Sequence, residues 1–79
     1  MQLPPKPIPK PGFLDFCEPL GYIYGERRWR SPDGRYLFTW DSLHGEIEAF
    51  SKQGVHRFVL DAVSGERIKT ARKGRRIRV

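Results

Sequence analysis

Apolar and polar residues alternate with the two-residue period of β-strands through most of the chain after residue 26. The runs that carry this pattern read "RRWR", "RYLFTWD", "EIEAFS", "VHRFVLD", "RIKT" and "RRIRV". The turn "SPDG" between the first two predicts a hairpin, because Pro32 presets φ and Gly34 accepts a positive φ. "SLHG", residues 42–45, has a length common in hairpin loops and predicts a second one.

The segment before residue 26 has a different pattern. Apolar residues between Phe13 and Leu20 have spacings that a short helix could bury on one side, and Pro19 and Gly21 end that helix. The predicted fold class is therefore α+β but mainly β. It consists of a short N-terminal helix followed by a twisted antiparallel sheet of five or six short strands.

The first twelve residues are rich in proline, at positions 4, 5, 7, 9 and 11. Proline fixes φ and removes backbone donors, so this segment should be extended and polyproline-like. We predict a linker over residues 1–12 and one folded domain over 13–79. A proline-rich segment can also be a ligand for aromatic grooves, so a protein-interaction role stays open.

Composition narrows the function classes. The single Cys17 cannot form an internal disulfide, and one Cys with two His falls short of a structural zinc site, so we expect no metal and no cofactor. No apolar run of 18 residues and no secretory h-region is present, so membrane insertion is not expected. The net charge of +6 favours a polyanionic partner, most often nucleic acid.

The second hairpin allows its register to be predicted. If Asp41 pairs with Glu46, then Thr39 pairs with Glu48. The opposite face then carries the residues suited to a core, which are Tyr36, Phe38, Trp40, Ile47 and Ala49.

This register gathers Asp41, Glu46 and Glu48 on one face, with His44 at its rim. Like charges opposite each other destabilise a sheet by about 0.2–1 kcal/mol. Charge alone leaves open whether this is a solvated face neutralised by arginines or a reaction centre. Metal-independent RNA cleavage needs a base for the 2′-OH proton, an acid for the leaving 5′-oxygen and a cation for the phosphate. Glu, His and Arg are a suitable set.

The C-terminal run "ERIKTARKGRRIRV" carries seven of the fifteen Lys and Arg residues. Cationic side chains on an edge strand protect that edge from pairing with another chain. The same side chains would neutralise the phosphates of a nucleic acid. The sequence is compatible with both roles, protection of a sheet edge and binding of nucleic acid.

The stretch "WDSLHGEIE", residues 40–48, resembles a motif of the ribosome-inactivating colicins and cloacin, W-D-S-x-H-G-E-x-E. Their cytotoxic domains are ribonucleases that cut 16S ribosomal RNA at the decoding site. The likeness runs from about Arg28 to Arg78 and includes "RRW", "DGR", "G-x-H", "SGE" and the basic tail. Leu43 stands where the colicins have Gln, and Phe50 where they have Tyr.

The resemblance implies a set of site residues. Those matching the catalytic residues of the family are Asp41, His44, Glu48 and Arg75, and the expected substrate-binding residues are Lys69, Glu46, Arg72, Arg76 and Arg78. We expect Glu48 as the base and His44 as the acid or a transition-state stabiliser, with Asp41 orienting His44 and Arg75 holding the phosphate. Sequence does not separate the roles of Asp41, His44 and Glu48. Alignment near Gly74 leaves Arg72 and Arg76 open as alternatives to Arg75.

The resemblance further implies a metal-independent enzyme with a highly twisted antiparallel sheet after a short helix. Such domains are C-terminal payloads of larger toxins, secreted or delivered from the producer's surface, that act in the target bacterial cytoplasm. Contact-dependent inhibition toxins carry similar C-terminal domains. The expected partners are the ribosome with its 16S RNA and a cognate acidic immunity protein, and the domain is expected to be monomeric.

Two other classes compete. In a non-catalytic RNA- or ribosome-binding β-domain, Glu48→Ala and His44→Ala would leave function nearly untouched. In a protein-interaction module, deleting residues 1–11 would destroy function, whereas a nuclease should survive that deletion.

Overall fold

The computed structural model describes residues 3–79. Six strands within this range form one antiparallel sheet. The strands are β1 (Glu18–Ile23), β2 (Glu26–Arg30), β3 (Leu37–Asp41), β4 (Glu46–Phe50), β5 (His56–Asp61) and β6 (Arg67–Thr70). Each strand pairs with the next along the chain, so the sheet is a meander. Within residues 3–79, no helix has the length and apolar character needed to cross a membrane.

The α+β prediction with a short N-terminal helix is wrong. The described residues contain a single 3₁₀ turn of four residues, Phe13–Phe16, and Cys17 is already extended. Residues expected to continue a helix form β1 instead, with a bulge between Pro19 and Gly21. Pro19 removes a backbone donor and Gly21 has φ +76°, which together break a helix. A strand tolerates both because β1 lies at the edge of the sheet.

The predicted register of the second hairpin is confirmed. Asp41 pairs with Glu46 and Thr39 pairs with Glu48. The face predicted for the core is also confirmed, because Phe38, Ile47 and Ala49 are buried and Tyr36 and Trp40 pack against the same cluster. Further core residues come from the 3₁₀ turn and the other strands, namely Leu14, Cys17, Trp29, Phe58 and Leu60.

The opposite face of the sheet is partly covered by the C-terminal tail, residues 71–79. The tail was expected to form a strand at "RRIRV", but it makes one isolated bridge, between Arg76 and Val55. The Ile77 N–H donates to the Gly54 carbonyl at 2.9 Å, and the buried Arg28 guanidinium donates to the Arg78 carbonyl. These long-range bonds bring the basic tail over the polar face of the hairpin.

Candidate active site

The β3–β4 loop, residues 42–45, presents His44. The Asp41 Oδ1 accepts hydrogen bonds from the backbone N–H groups of Leu43 (3.0 Å) and His44 (3.1 Å). The other oxygen, Oδ2, lies 2.7 Å from His44 Nδ1. One carboxylate therefore shapes the loop and orients the imidazole, whose side chain stays 50% exposed.

The charge state of Asp41 follows from the same contacts. Partial burial acts to raise the pKa of Asp41, but the hydrogen bond to the His44 side chain and those to the backbone outweigh burial, so the pKa of Asp41 is lowered. A carboxylate that stays ionised can hold the imidazole with its proton on Nδ1. The Nε2 atom is then left for a substrate.

Glu48 and Arg75 form the central ion pair of the polar face. The Arg75 guanidinium donates through Nη2 to Glu48 Oε2 at 2.7 Å and through Nε to Oε1 at 3.3 Å. The Glu48 side chain is 13% exposed and that of Arg75 is 38% exposed. The hydrogen bond to Glu48 raises the pKa of Arg75 against the opposing effect of burial. The backbone places Arg75 here, because the His56 N–H donates to the Arg75 carbonyl at 3.0 Å.

His56 is a residue of this site that the sequence analysis did not single out. Its ring is buried, and its Nδ1 accepts the backbone N–H of Arg72 at 2.9 Å. The neutral ring therefore carries its proton on Nε2, which lies 3.7 Å from Glu48 Oε1. Burial lowers the pKa of His56; Glu48 opposes this shift, and the charges of Arg75 and Arg72 add to it. The "G-x-H" match was the one sequence signal for this histidine.

The Asp41 and Glu46 carboxylates lie on paired positions, and each has a partner of its own. Lys69 Nζ lies 2.9 Å from Glu46 Oε1, while Asp41 holds His44. These contacts offset the like-charge repulsion that the sequence predicts. Ligand atoms of Asp41, His44 and Glu46 lie within 4.8 Å of one another, so among residues 3–79 these three form a group that could hold a metal ion. A cation there would displace the ammonium of Lys69.

Two adjoining clefts meet at these side chains, and Asp41, His44, Glu48 and Arg72 line both of them. The wider cleft, about 360 Å³, also has Trp40 and Arg75 on its walls, and the narrower one, about 60 Å³, has Glu46, His56 and Lys69. The structure thus brings together seven of the nine predicted site residues.

Arg76 and Arg78 lie elsewhere. The Arg76 backbone bridges to Val55, and the Arg78 guanidinium lies 4.5 Å from the ring centre of Tyr24. Among the arginines that the alignment left open, Arg75 is the one that contacts Glu48 through its side chain.

Comparison with known proteins agrees with this geometry. Residues 23–78 match the protein family described as Cytotoxic, and this segment contains every predicted site residue. The chain is also similar to colicin E3 of Escherichia coli, with 36% identity over 44 residues. That alignment covers 54% of this chain but 8% of colicin E3, so the chain spans a small part of the relative's length. The resemblance inferred from the sequence is confirmed, and the chain belongs to the Cytotoxic family of colicin-like domains.

Proposed function

We propose that this domain is a toxin endoribonuclease that cleaves 16S ribosomal RNA at the decoding site and so stops translation. The observation that carries the proposal is the convergence, on one cleft, of the Glu48–Arg75 pair and the Asp41–His44 pair. The four side chains supply a base, a cation and an oriented acid without a metal ion.

Glu48 is the group suited to take the proton from the ribose 2′-OH. Its carboxylate is held by the two hydrogen bonds from the Arg75 guanidinium, and the buried ring of His56 lies beside it, with Nε2 3.7 Å from Oε1. Removal of the proton lets the 2′-oxygen attack the adjacent phosphorus and form the bond of a 2′,3′-cyclic phosphate. A nucleotide without a 2′-OH has no nucleophile and should not react.

Arg75 is suited to hold the scissile phosphate while charge builds on its oxygens. Two of the five guanidinium N–H donors go to Glu48, which leaves three for phosphate oxygens. Because its side chain is 38% exposed, a phosphate can approach Arg75 while the guanidinium stays on Glu48. The cation therefore brings base and phosphate to the same place.

His44 is suited to protonate the leaving 5′-oxygen as the bond from phosphorus to that oxygen breaks. Its Nδ1 is engaged by Asp41, so the proton would leave from Nε2 on the exposed side of the ring. The Asp41 carboxylate keeps the ring in one orientation through Nδ1 during the transfer. The products are a 2′,3′-cyclic phosphate and a 5′-hydroxyl.

The same proposal covers the partners and the setting of the domain. A net charge of +6 suits both ribosomal RNA and an acidic immunity protein that protects the producer. The small share of colicin E3 that aligns is consistent with a payload carried by a longer, secreted or surface-delivered toxin into the target cytoplasm. Lys69 and Arg72, at the cleft, would contact RNA phosphates.

Primer extension on purified ribosomes exposed to the domain tests this function. We expect a stop at the decoding site with the natural sequence, no stop with Glu48→Ala, and an undiminished stop with Glu66→Ala. Glu66 is an exposed carboxylate of the β5–β6 turn and serves as the matched control. Full inhibition of translation by Glu48→Ala without RNA cleavage would instead favour a non-catalytic RNA-binding domain.

A further inference from the structure

The proline-rich segment contacts the loop that carries His44. The Lys6 N–H donates to the Ser42 carbonyl at 2.8 Å, and the Trp40 indole Nε1 donates to the Lys6 carbonyl at 2.9 Å. Trp40 and Ser42 flank Asp41 in the sequence. The main chain of one residue thus holds both neighbours of the carboxylate that orients His44.

The side chain of Lys6 adds a steric contact. A Cβ atom on Gly45 would lie 2.9 Å from the Lys6 Cδ, so the methylenes of Lys6 cover the glycine that closes the loop. Gly45 also has φ +71°, a conformation that favours glycine. The side chain contributes only this van der Waals contact, whereas the hydrogen bonds between Lys6 and the residues around Asp41 are made by the Lys6 backbone.

The described part of the proline-rich segment, residues 3–12, is called the arm, and it is anchored near its C-terminal end as well. Ile8 is half-buried and packs against the core cluster. The Phe13 N–H donates to the Ala62 carbonyl at 2.9 Å, in the turn between β5 and β6. Because its prolines restrict the unfolded chain, ordering this segment loses less entropy than ordering a flexible one. The arm thus spans two neighbouring turns and is fixed at both.

We propose that Lys6 is a positioning residue for the proposed ribonuclease reaction, and that it acts through its backbone N–H and C=O groups. The segment from Lys6 to Ile8 is then a strap that holds the β3–β4 loop, and with it His44, in the geometry needed for proton transfer. This inference rests on the proposed function for its effect on rate, while the restraint on the loop is independent of it.

Three variants separate backbone from side chain. Lys6→Pro removes the N–H that bonds Ser42, Trp40→Phe removes the indole donor, and Lys6→Ala keeps both backbone groups as the matched control. On ribosomes, we expect Lys6→Pro to lower kcat roughly fivefold with KM unchanged, as expected for one lost hydrogen bond. Trp40→Phe should lower kcat by a similar factor, and because Trp40 also lines the wider cleft, its KM can change as well. Lys6→Ala should keep the natural kcat.

Amide hydrogen exchange provides a readout that needs no RNA. The N–H groups of Leu43 and His44 both donate to Asp41, so loss of the strap should speed their exchange roughly fivefold in Lys6→Pro and leave it unchanged in Lys6→Ala. Exchange that is equal in Lys6→Pro and the natural protein would overturn the proposal. An equal loss in Lys6→Ala would also overturn it, because the side chain would then be responsible.

The two measurements keep this proposal distinct from the proposed function. If no variant cleaves RNA but Lys6→Pro still speeds exchange, the strap holds and the ribonuclease assignment fails. If the natural protein cleaves RNA and Lys6→Pro matches it in both kcat and exchange, the ribonuclease assignment holds and the strap fails. The sequence alone predicts that a nuclease survives deletion of residues 1–11. If the strap restrains the loop, that deletion should instead lower the ribonuclease activity in part.

Discussion

Two turns of this protein have nearly the same backbone and different surroundings. The β3–β4 turn reads "DSLHGE" over 41–46, and the β5–β6 turn reads "DAVSGE" over 61–66. In both, the leading Asp accepts two backbone N–H groups through one carboxylate oxygen, and the Gly has a positive φ. In both, the residue after Asp accepts a backbone N–H from the N-terminal segment.

The two turns share a backbone conformation but carry different side chains. His44 stands where the second turn has Ser64, and Glu48 follows the first turn at the position that Ile68 holds after the second. The first turn faces Arg75 and His56 across its cleft, whereas Ile68 is 47% exposed. The two turns thus share the Asp-capped backbone, and under the proposed function they differ in reactivity because of the side chains placed on the first turn and opposite it.

Replacing the distinguishing side chain of each turn should produce the largest contrast. We expect His44→Ala to lower the rate of ribosomal RNA cleavage by about 10²- to 10⁴-fold, the range for loss of a general acid. Ser64→Ala, at the equivalent position, should leave the rate within about twofold, since the hydroxyl that it removes bonds only within the β5–β6 turn, to Asp61 and to the Glu66 N–H. Single-turnover cleavage assays measure both. Equal rates for the two variants would mean that the first turn is not catalytic.

The arginine opposite the first turn should give a smaller contrast. Arg75→Lys keeps the positive charge but loses the paired donors that hold Glu48, and we expect cleavage to fall by about 10- to 100-fold. Arg76→Lys is the matched control, because its bridge to Val55 is made by the backbone. The same assay measures both, and a larger loss in Arg76→Lys would reassign the catalytic arginine.

The buried histidine should give the smallest change in rate and a clear change in pH dependence. The pKa of His56 is lowered in the folded protein and is near 6.5 when unfolded. The unfolded chain therefore binds a proton first as pH falls, so stability due to His56 is present above about pH 6.5 and is lost below it. His56→Asn keeps an acceptor for the Arg72 N–H and cannot titrate.

Denaturant unfolding of the natural protein and His56→Asn, at several pH values from 7 to 5, checks this prediction. The natural protein should lose more stability over this range than the variant does. Cleavage at pH 7 should fall by no more than about fivefold in His56→Asn, because the variant changes the packing beside Glu48 but keeps its hydrogen bonds to Arg75. An identical pH dependence of the two unfolding free energies would show that folding does not lower the pKa of His56.

Sequence reasoning succeeded where structure is set by near neighbours. The register of the second hairpin follows from strand alternation and a four-residue loop, and Asp41 is three residues from the histidine that it orients. The motif "WDSLHGEIE" that the chain shares with its family lies on this hairpin, so it could be found from the sequence. The site residues predicted there share one cleft in the structure.

Sequence reasoning failed where a local pattern was ambiguous, and it was silent where contacts are distant along the chain. Helical spacing from Phe13 to Leu20 was misleading because Pro19 and Gly21 favour an edge strand with a bulge. Arg75 meets Glu48 from 27 residues away, and Arg72 meets His56 from 16 residues away. No periodic pattern encodes such contacts, which depend on the path of the tail.

The most direct test of the account is cleavage of decoding-site RNA in reconstituted small subunits that carry a single 2′-deoxy substitution at the cleaved nucleotide. The account predicts no cleavage of the substituted RNA, and cleavage of the unsubstituted RNA to a 2′,3′-cyclic phosphate that Glu48→Ala fails to produce. Cleavage of the 2′-deoxy RNA, or activity abolished by a metal chelator, would contradict a mechanism in which Glu48 activates the 2′-OH beside Arg75.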